Sequence, residues 1–169
     1  MKLPLWAPWR MEYILGAKTE GCVLCTITSA DPGELRKNHV LALLPDTLVC
    51  LNRYPFAAGH LLVLPRRHVG DLLELADGEY ASLMHTLREA AARLRSAVKC
   101  QGLNLGFNLG APAGGSITDH AHGHIVPRWT GDTNFMPVLA DVRVMPQHLD
   151  DTYRHLAPYF ADLGATLDT

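Results

Sequence analysis

Three short apolar runs follow one another in the first part of the chain: Val40–Leu44, Thr47–Leu51 and His60–Leu64. They are separated by Pro45-Asp46 and by Tyr54-Pro55 through Gly59, so each reads as a strand bounded by turn formers. The connections are too short to hold crossover helices, which makes the strands antiparallel neighbours. From Gly78 to Val98 the period changes. Leu83, Leu87, Ala90, Ala91, Leu94 and Val98 recur at helical spacing, with Asp77 in the position of an N-cap. Leu103–Leu109 and Ala121–Pro127 read as two further strands around a glycine-rich loop, Gly110 to Gly115. The tail from His148 to Leu163 is helical in pattern, with Pro158 placed to bend or divide it. Strands grouped together with helices to one side predict an α+β domain: an antiparallel sheet, one long helix and a C-terminal helix.

No repeat, low-complexity tract, charge block or linker divides the chain, so a single domain is expected over residues 1–169. Within it, residues 1–20 form an irregular arm carrying Trp6 and Trp9 beside Pro4 and Pro8. Residues 21–135 hold the motifs, and residues 136–169 form a C-terminal strand and helix extension. At 169 residues, 48% apolar and 19% charged, the chain can bury about two thirds of its surface and is not of disordered type. Fifteen basic against seventeen acidic residues argue against a nucleic-acid surface. The start, Met1 to Ile14, is interrupted by Arg10 and Glu12 and is not a secretory leader. The longest uncharged run, Cys100 to Thr118, is too polar for a membrane helix. A cytoplasmic, reduced setting is therefore expected, in which Cys22 and Cys25 read as a metal half-site or two unpaired thiols. Cys50 and Cys100 read as buried thiols, and Met84 with the Leu stripe as core or dimer interface.

The chemistry concentrates at His120-Ala121-His122-Gly123-His124, which holds three of the nine histidines. On a strand these side chains would share one face, about 7 Å apart in turn. A sheet core does not select three imidazoles on one face. Two readings stand at this level. The imidazoles chelate zinc as a three-histidine site, or one is a nucleophile that its neighbours position. Ala113-Gly114-Gly115-Ser116 lies just before them. Its backbone amides and the Ser116 hydroxyl can converge on an anion, which suits phosphoryl chemistry.

H-x-H-x-H followed by apolar residues is the motif of the histidine-triad superfamily of nucleotide hydrolases and transferases. The chain resembles that family beyond the triad. Asn52-Arg53-Tyr54-Pro55 with Gly59-His60-Leu61-Leu62-Val63-Leu64-Pro65, and Asn108-Leu109-Gly110 with Ala113–Ser116, are similar to its other segments over roughly residues 20–135. Val126-Pro127-Arg128-Trp129, Gly131–Phe135 and Leu5–Arg10 resemble the bacterial branch of diadenosine tetraphosphate phosphorylases and hydrolases.

The resemblance implies a mechanism. His122 attacks the α-phosphorus and forms a nucleotidyl-imidazole, its other ring nitrogen held by a backbone carbonyl near His120. His124 donates to phosphate or leaving-group oxygens. Ser116 and the Gly115 amide hold non-bridging oxygens, Asn108 adds polar contacts and Asn52 meets the ribose. Water as second substrate makes a hydrolase, inorganic phosphate a phosphorylase, with Mg²⁺ able to accompany the polyphosphate. The resemblance also implies a structural zinc on Cys22, Cys25, His68 and His120, and a homodimer. His60 reads as a structural residue or a support behind the site, and taken alone as a satisfied strand histidine; His39, His85, His148 and His155 read as surface residues. Arg66, Arg67 and Arg128 line a phosphate path or are solvated strand ends, and Trp129 caps the site or anchors the fold. The leading expectation is an enzyme that cleaves dinucleoside polyphosphates. The alternatives are a nucleotide-binding interaction protein with slow mononucleotide hydrolysis and, last, a three-histidine zinc hydrolase.

Overall fold

A computed structural model describes residues 21–115, 117–132 and 148–163. The arm expected over residues 1–20, Ser116, residues 133–147 and residues 164–169 lie outside the described residues. The elements in chain order are α1 (Val23–Thr28), β1 (Val40–Leu43), β2 (Thr47–Leu51), β3 (Leu61–Pro65), α2 (Asp77–Val98), β4 (Gly102–Phe107), β5 (Gly123–Arg128) and α3 (Leu149–Phe160). The strands form one sheet in the order β1-β2-β3-β5-β4, with every neighbouring pair antiparallel.

Alternation along the strands decides what each face meets. Val49, Leu51, Leu61, Val63 and Ile125 turn to one side and pack against Leu83, Leu87, Ala90 and Leu94 of α2 and Leu156 and Phe160 of α3. Leu48, Cys50, Leu62 and Leu64 turn to the other side, where Leu24 of α1 covers them. His124, paired in register with Leu62 on β3 and Gly106 on β4, lies one residue out of step with Ile125. The histidine therefore belongs to the α1 side of the sheet, away from the long helix. Gly123 faces the helix instead, and a Cβ there would stand 2.9 Å from Phe107 and 3.0 Å from Leu87. Only glycine lets α2 close down on the sheet at the centre of the triad.

The predicted boundaries shift in a few places. β3 begins at Leu61, so His60 precedes it, and β4 stops at Phe107. Ala76, not Asp77, is the N-cap of α2. Its N–H donates to the Glu79 carboxylate at 2.9 Å, and Asp77 becomes a first-turn acid that favours the helix dipole. Pro158 neither divides α3 nor ends it, because it falls near the last turn, where one lost ladder bond is tolerated. The largest change concerns the triad itself. β5 starts only at Gly123, so His120 and His122 sit in a turn before the strand. That turn is held by the Ala121 N–H donating to the Val69 carbonyl at 2.6 Å, a partner fifty-two residues away in sequence. Gly70 permits the approach, since a side chain on it would crowd the Thr118 carbonyl at 3.2 Å.

Candidate functional site

The turn sends its two histidines in different directions. His120 is fully buried, and its Nε2 lies 2.9 Å from the Pro65 carbonyl oxygen, so that nitrogen carries the proton. The bare Nδ1 faces Cys22 Sγ at 3.4 Å and Cys25 Sγ at 3.5 Å. His68 brings its Nδ1 to 3.2 Å from Cys25 Sγ, while its Nε2 stands 4.0 Å from the Asp119 carboxylate. The four ligand atoms all lie within 4.8 Å of one another. Cys22 and Cys25 meet there because α1 begins between them and places the two thiols one turn apart.

This donor set fits zinc. Tetrahedral bonds of about 2.3 Å to sulfur and 2.0–2.1 Å to nitrogen require sulfur–nitrogen separations near 3.6 Å. Both imidazoles offer Nδ1; the His120 Nε2 is steered by the Pro65 carbonyl, as metal-bound histidines ordinarily are, while the Asp119 carboxylate stands 4.0 Å from the His68 Nε2, beyond hydrogen-bond reach.

His122 is almost fully buried, and its Nδ1–H donates to the His120 carbonyl at 2.7 Å. The hydrogen on Nδ1 leaves Nε2 with a free lone pair, the form in which an imidazole acts as a nucleophile. The rings of His122 and His124 lie 5.0 Å apart, edge to face at 68°.

His124 has the opposite arrangement, set by a chain that starts at a backbone amide. The Phe56 N–H donates to His60 Nδ1 at 3.0 Å, and the Asn52 amide reaches the same nitrogen at 3.2 Å. His60 therefore carries its hydrogen on Nε2 and donates it to His124 Nδ1 at 3.0 Å. Neutral His124 is left with Nε2–H as a donor; the Asn108 Nδ2 group, 3.4 Å away, is a donor as well, so the two nitrogens do not bond to each other and both can point at an acceptor between them. Burial, with the other histidines adding to it, pushes His60 down to about 3 and His124 down to about 4. Burial also lowers His120, against the opposing pull of the Pro65 carbonyl. The Phe56 ring covers this end, 4.8 Å from the His60 ring and 6.0 Å from that of His124.

The structure thus brings together His120, His122, His124 and Asn108, and separately Cys22, Cys25, His68 and His120. Asn52 folds back on its own loop, its Oδ1 accepting from the Tyr54 N–H at 2.9 Å. Gly115 packs tightly on the Asn108 carbonyl, which a Cβ would meet at 3.3 Å. Trp129 lines a cavity of about 380 Å³ with Gly59, Val98, Thr152 and His155, a set that contains no triad residue. Arg67 grips Glu79 through two bonds of 2.7 and 2.8 Å, Arg66 donates to the Leu44 and Pro45 carbonyls, and Arg128 grips Asp132. Each of these exposed arginines has a partner within the protein. His39 is half-buried against Asp150 at 2.8 Å rather than a plain surface residue. His60 is the member that sequence patterning undervalues. Its signal is a histidine at the head of a wholly apolar strand, which needs a polar partner once buried. Among the described residues His122 and His124 turn to other partners, so no three-histidine metal cluster forms.

The comparisons with known proteins agree with this geometry. The model of the HIT domain family matches residues 35–131. The chain is 39% identical over 163 residues to the AP-4-A phosphorylase of Mycobacterium tuberculosis, covering 93% of this chain and 84% of the relative. Among solved structures it is similar to a hypothetical histidine triad nucleotide-binding protein from Sulfolobus tokodaii (TM-score 0.67, 25% identity, 84% of this chain and 93% of the other). It is also similar to a Zn-bound histidine triad family protein from Mycobacterium smegmatis (TM-score 0.67, 27% identity, 86% of this chain and 97% of the other). With a match over more than half its length and the three histidines disposed as described, the chain belongs to the HIT domain family.

Proposed function

We propose that this protein is a nucleotidyl transferase that cleaves dinucleoside polyphosphates, diadenosine tetraphosphate above all, through a covalent nucleotidyl-His122 intermediate. The observation that carries the reading is the His122 Nδ1–H bond to the His120 carbonyl, which leaves Nε2 free to attack. Nε2 bonds to the α-phosphorus, the bond to the bridging oxygen breaks, and ATP departs with the electron pair. Neutral His124 donates a hydrogen bond from Nε2 to the departing oxygen; a polyphosphate leaves readily as an anion, so full proton transfer is unnecessary. Inorganic phosphate then attacks the nucleotidyl group, giving ADP and restoring His122. The likeness to a protein named AP-4-A phosphorylase favours phosphate over water as this second substrate. Asn108 borders the phosphates; the Gly115 amide and the Ser116 hydroxyl hold non-bridging oxygens, and Asn52 contacts the ribose. Mg²⁺ accompanies the polyphosphate.

Cys22, Cys25, His68 and His120 hold a structural zinc, supported by their convergence and by a Zn-bound relative. Bound there, the ion supplies no chemistry to the reaction; it fixes the ring of His120. Such a thiol pair suits a reducing compartment, the cytoplasm. A second copy of the chain adds across β4, the edge of the sheet, where Leu105 is 48% exposed. The test is product analysis with diadenosine tetraphosphate. ADP and ATP in equal amounts, formed only with phosphate present, support the reading. AMP and ATP formed without phosphate would assign a hydrolase, and tight mononucleotide binding without turnover would assign a binding protein.

A further inference from the structure

Three contacts run in series from α1 to the nucleophile. Cys22 and Cys25 face His120 Nδ1 at 3.4 and 3.5 Å, His120 Nε2 is tied to the Pro65 carbonyl at 2.9 Å, and the His120 carbonyl holds His122 Nδ1–H at 2.7 Å. The two thiols are both partly exposed, are separated by two residues across the start of a helix, and have their sulfurs within 4.8 Å of each other. The remaining cysteines differ in access: Cys50 is buried in the sheet, and Cys100 is buried as well.

We propose that Cys22 and Cys25 form a reversible disulfide that disconnects His120 and thereby the nucleophile His122. This rests on the zinc reading above. The oxidant is a hydroperoxide. One thiolate attacks its terminal oxygen, the O–O bond breaks, and a sulfenic acid forms with loss of water or alcohol. The other thiol attacks that sulfur, the S–O bond breaks, and water leaves. Two electrons pass from the thiols to the peroxide. Disulfide sulfur is a poor ligand, and two imidazoles alone do not complete a closed zinc site. His120 then keeps only the Pro65 carbonyl as a directional tie, and the carbonyl that orients His122 is no longer anchored from the α1 side.

The experiment treats the full-length zinc-loaded protein with stoichiometric hydrogen peroxide and follows four quantities: the disulfide by peptide mapping, zinc release with a chromogenic chelator, the His122 ring tautomer by ¹⁵N NMR, and turnover. The expected result is a Cys22–Cys25 disulfide, loss of one zinc per chain, conversion of His122 from a single Nδ1–H tautomer to a mixture, and a roughly tenfold or greater fall in turnover. Dithiothreitol with zinc restores all four. The double variant Cys50→Ala, Cys100→Ala keeps the response, and Cys25→Ser loses disulfide formation. A disulfide elsewhere, zinc retained, or a His122 tautomer unchanged after the disulfide forms overturns the proposal. A protein that fails to turn over the dinucleotide before oxidation refutes the proposed activity instead, while mapping, zinc release and NMR still decide this one.

Discussion

His120 and His124 stand four residues apart, are both buried enough to be held neutral, and flank the same nucleophile, yet they do opposite things. His120 protonates Nε2 against a carbonyl and turns a bare Nδ1 to two thiols and, through them, to His68. His124 accepts on Nδ1 from His60 and keeps its hydrogen on Nε2, unused by the Asn108 Nδ2 donor beside it. The difference lies in the partners and not in the imidazoles. A ring whose two nitrogens are both engaged by protein is an anchor, whereas a ring with one nitrogen engaged and one presented is a working group. His122 lies between them and borrows from the anchor, since its tautomer depends on the His120 carbonyl.

Substituting the two flanking histidines separates the roles. His124→Ala is expected to lower turnover by about 10²–10⁴-fold while zinc content and melting temperature stay near those of the wild type. His120→Ala is expected to lose the metal and lower the melting temperature, with turnover falling as a consequence. Zinc analysis, calorimetry and steady-state kinetics on both proteins check this, and a His120→Ala protein that keeps its zinc and stability would break the comparison. His60→Ala comes next. With its relay removed, His124 loses the fixed tautomer, and kcat should fall about 10–100-fold with KM little changed. Gly123→Ala tests the helix side of the same strand. Its Cβ meets Phe107 and Leu87 at 2.9–3.0 Å, an overpacking worth about 1–3 kcal/mol, to be read from denaturant midpoints.

The remaining effect is on pH. His60 and His124 are held at about 3 and about 4, below the ordinary 6.5 of an unfolded histidine. Between these values the unfolded chain binds more protons, so stability rises with pH in that window and falls as pH drops from 6.5 toward 4. Thermal melts should show this decline, and it should shrink in His60→Ala.

Much of the architecture is visible in the chain before folding. Thr47–Leu51 and the Leu83–Leu94 periodicity mark β2 and α2 because those segments bury local patterns that need no distant partner to be recognised. The triad was visible as chemistry and misjudged as geometry. Its first two members leave the strand because Ala121 bonds to Val69, a contact that exists only after β3 and its following loop have packed. The relay to His124 was hidden for the same reason. His60 reaches it because β3 lies beside β5 in the sheet, two strands that sequence order does not make adjacent. Cys22 and Cys25 announced a metal half-site through spacing, while His68 and His120 entered only through resemblance; the fold supplies the convergence itself. Asn52 also has partners that patterning does not show, since its amide serves Tyr54 and His60 within the protein.

The most direct test of the central claim is rapid-quench mass spectrometry of the enzyme mixed with diadenosine tetraphosphate in the absence of phosphate. The account predicts AMP bound to the His122 peptide within the first turnover, and its release as ADP when phosphate is added. Turnover without any adduct, or with the AMP on a residue other than His122, would contradict it.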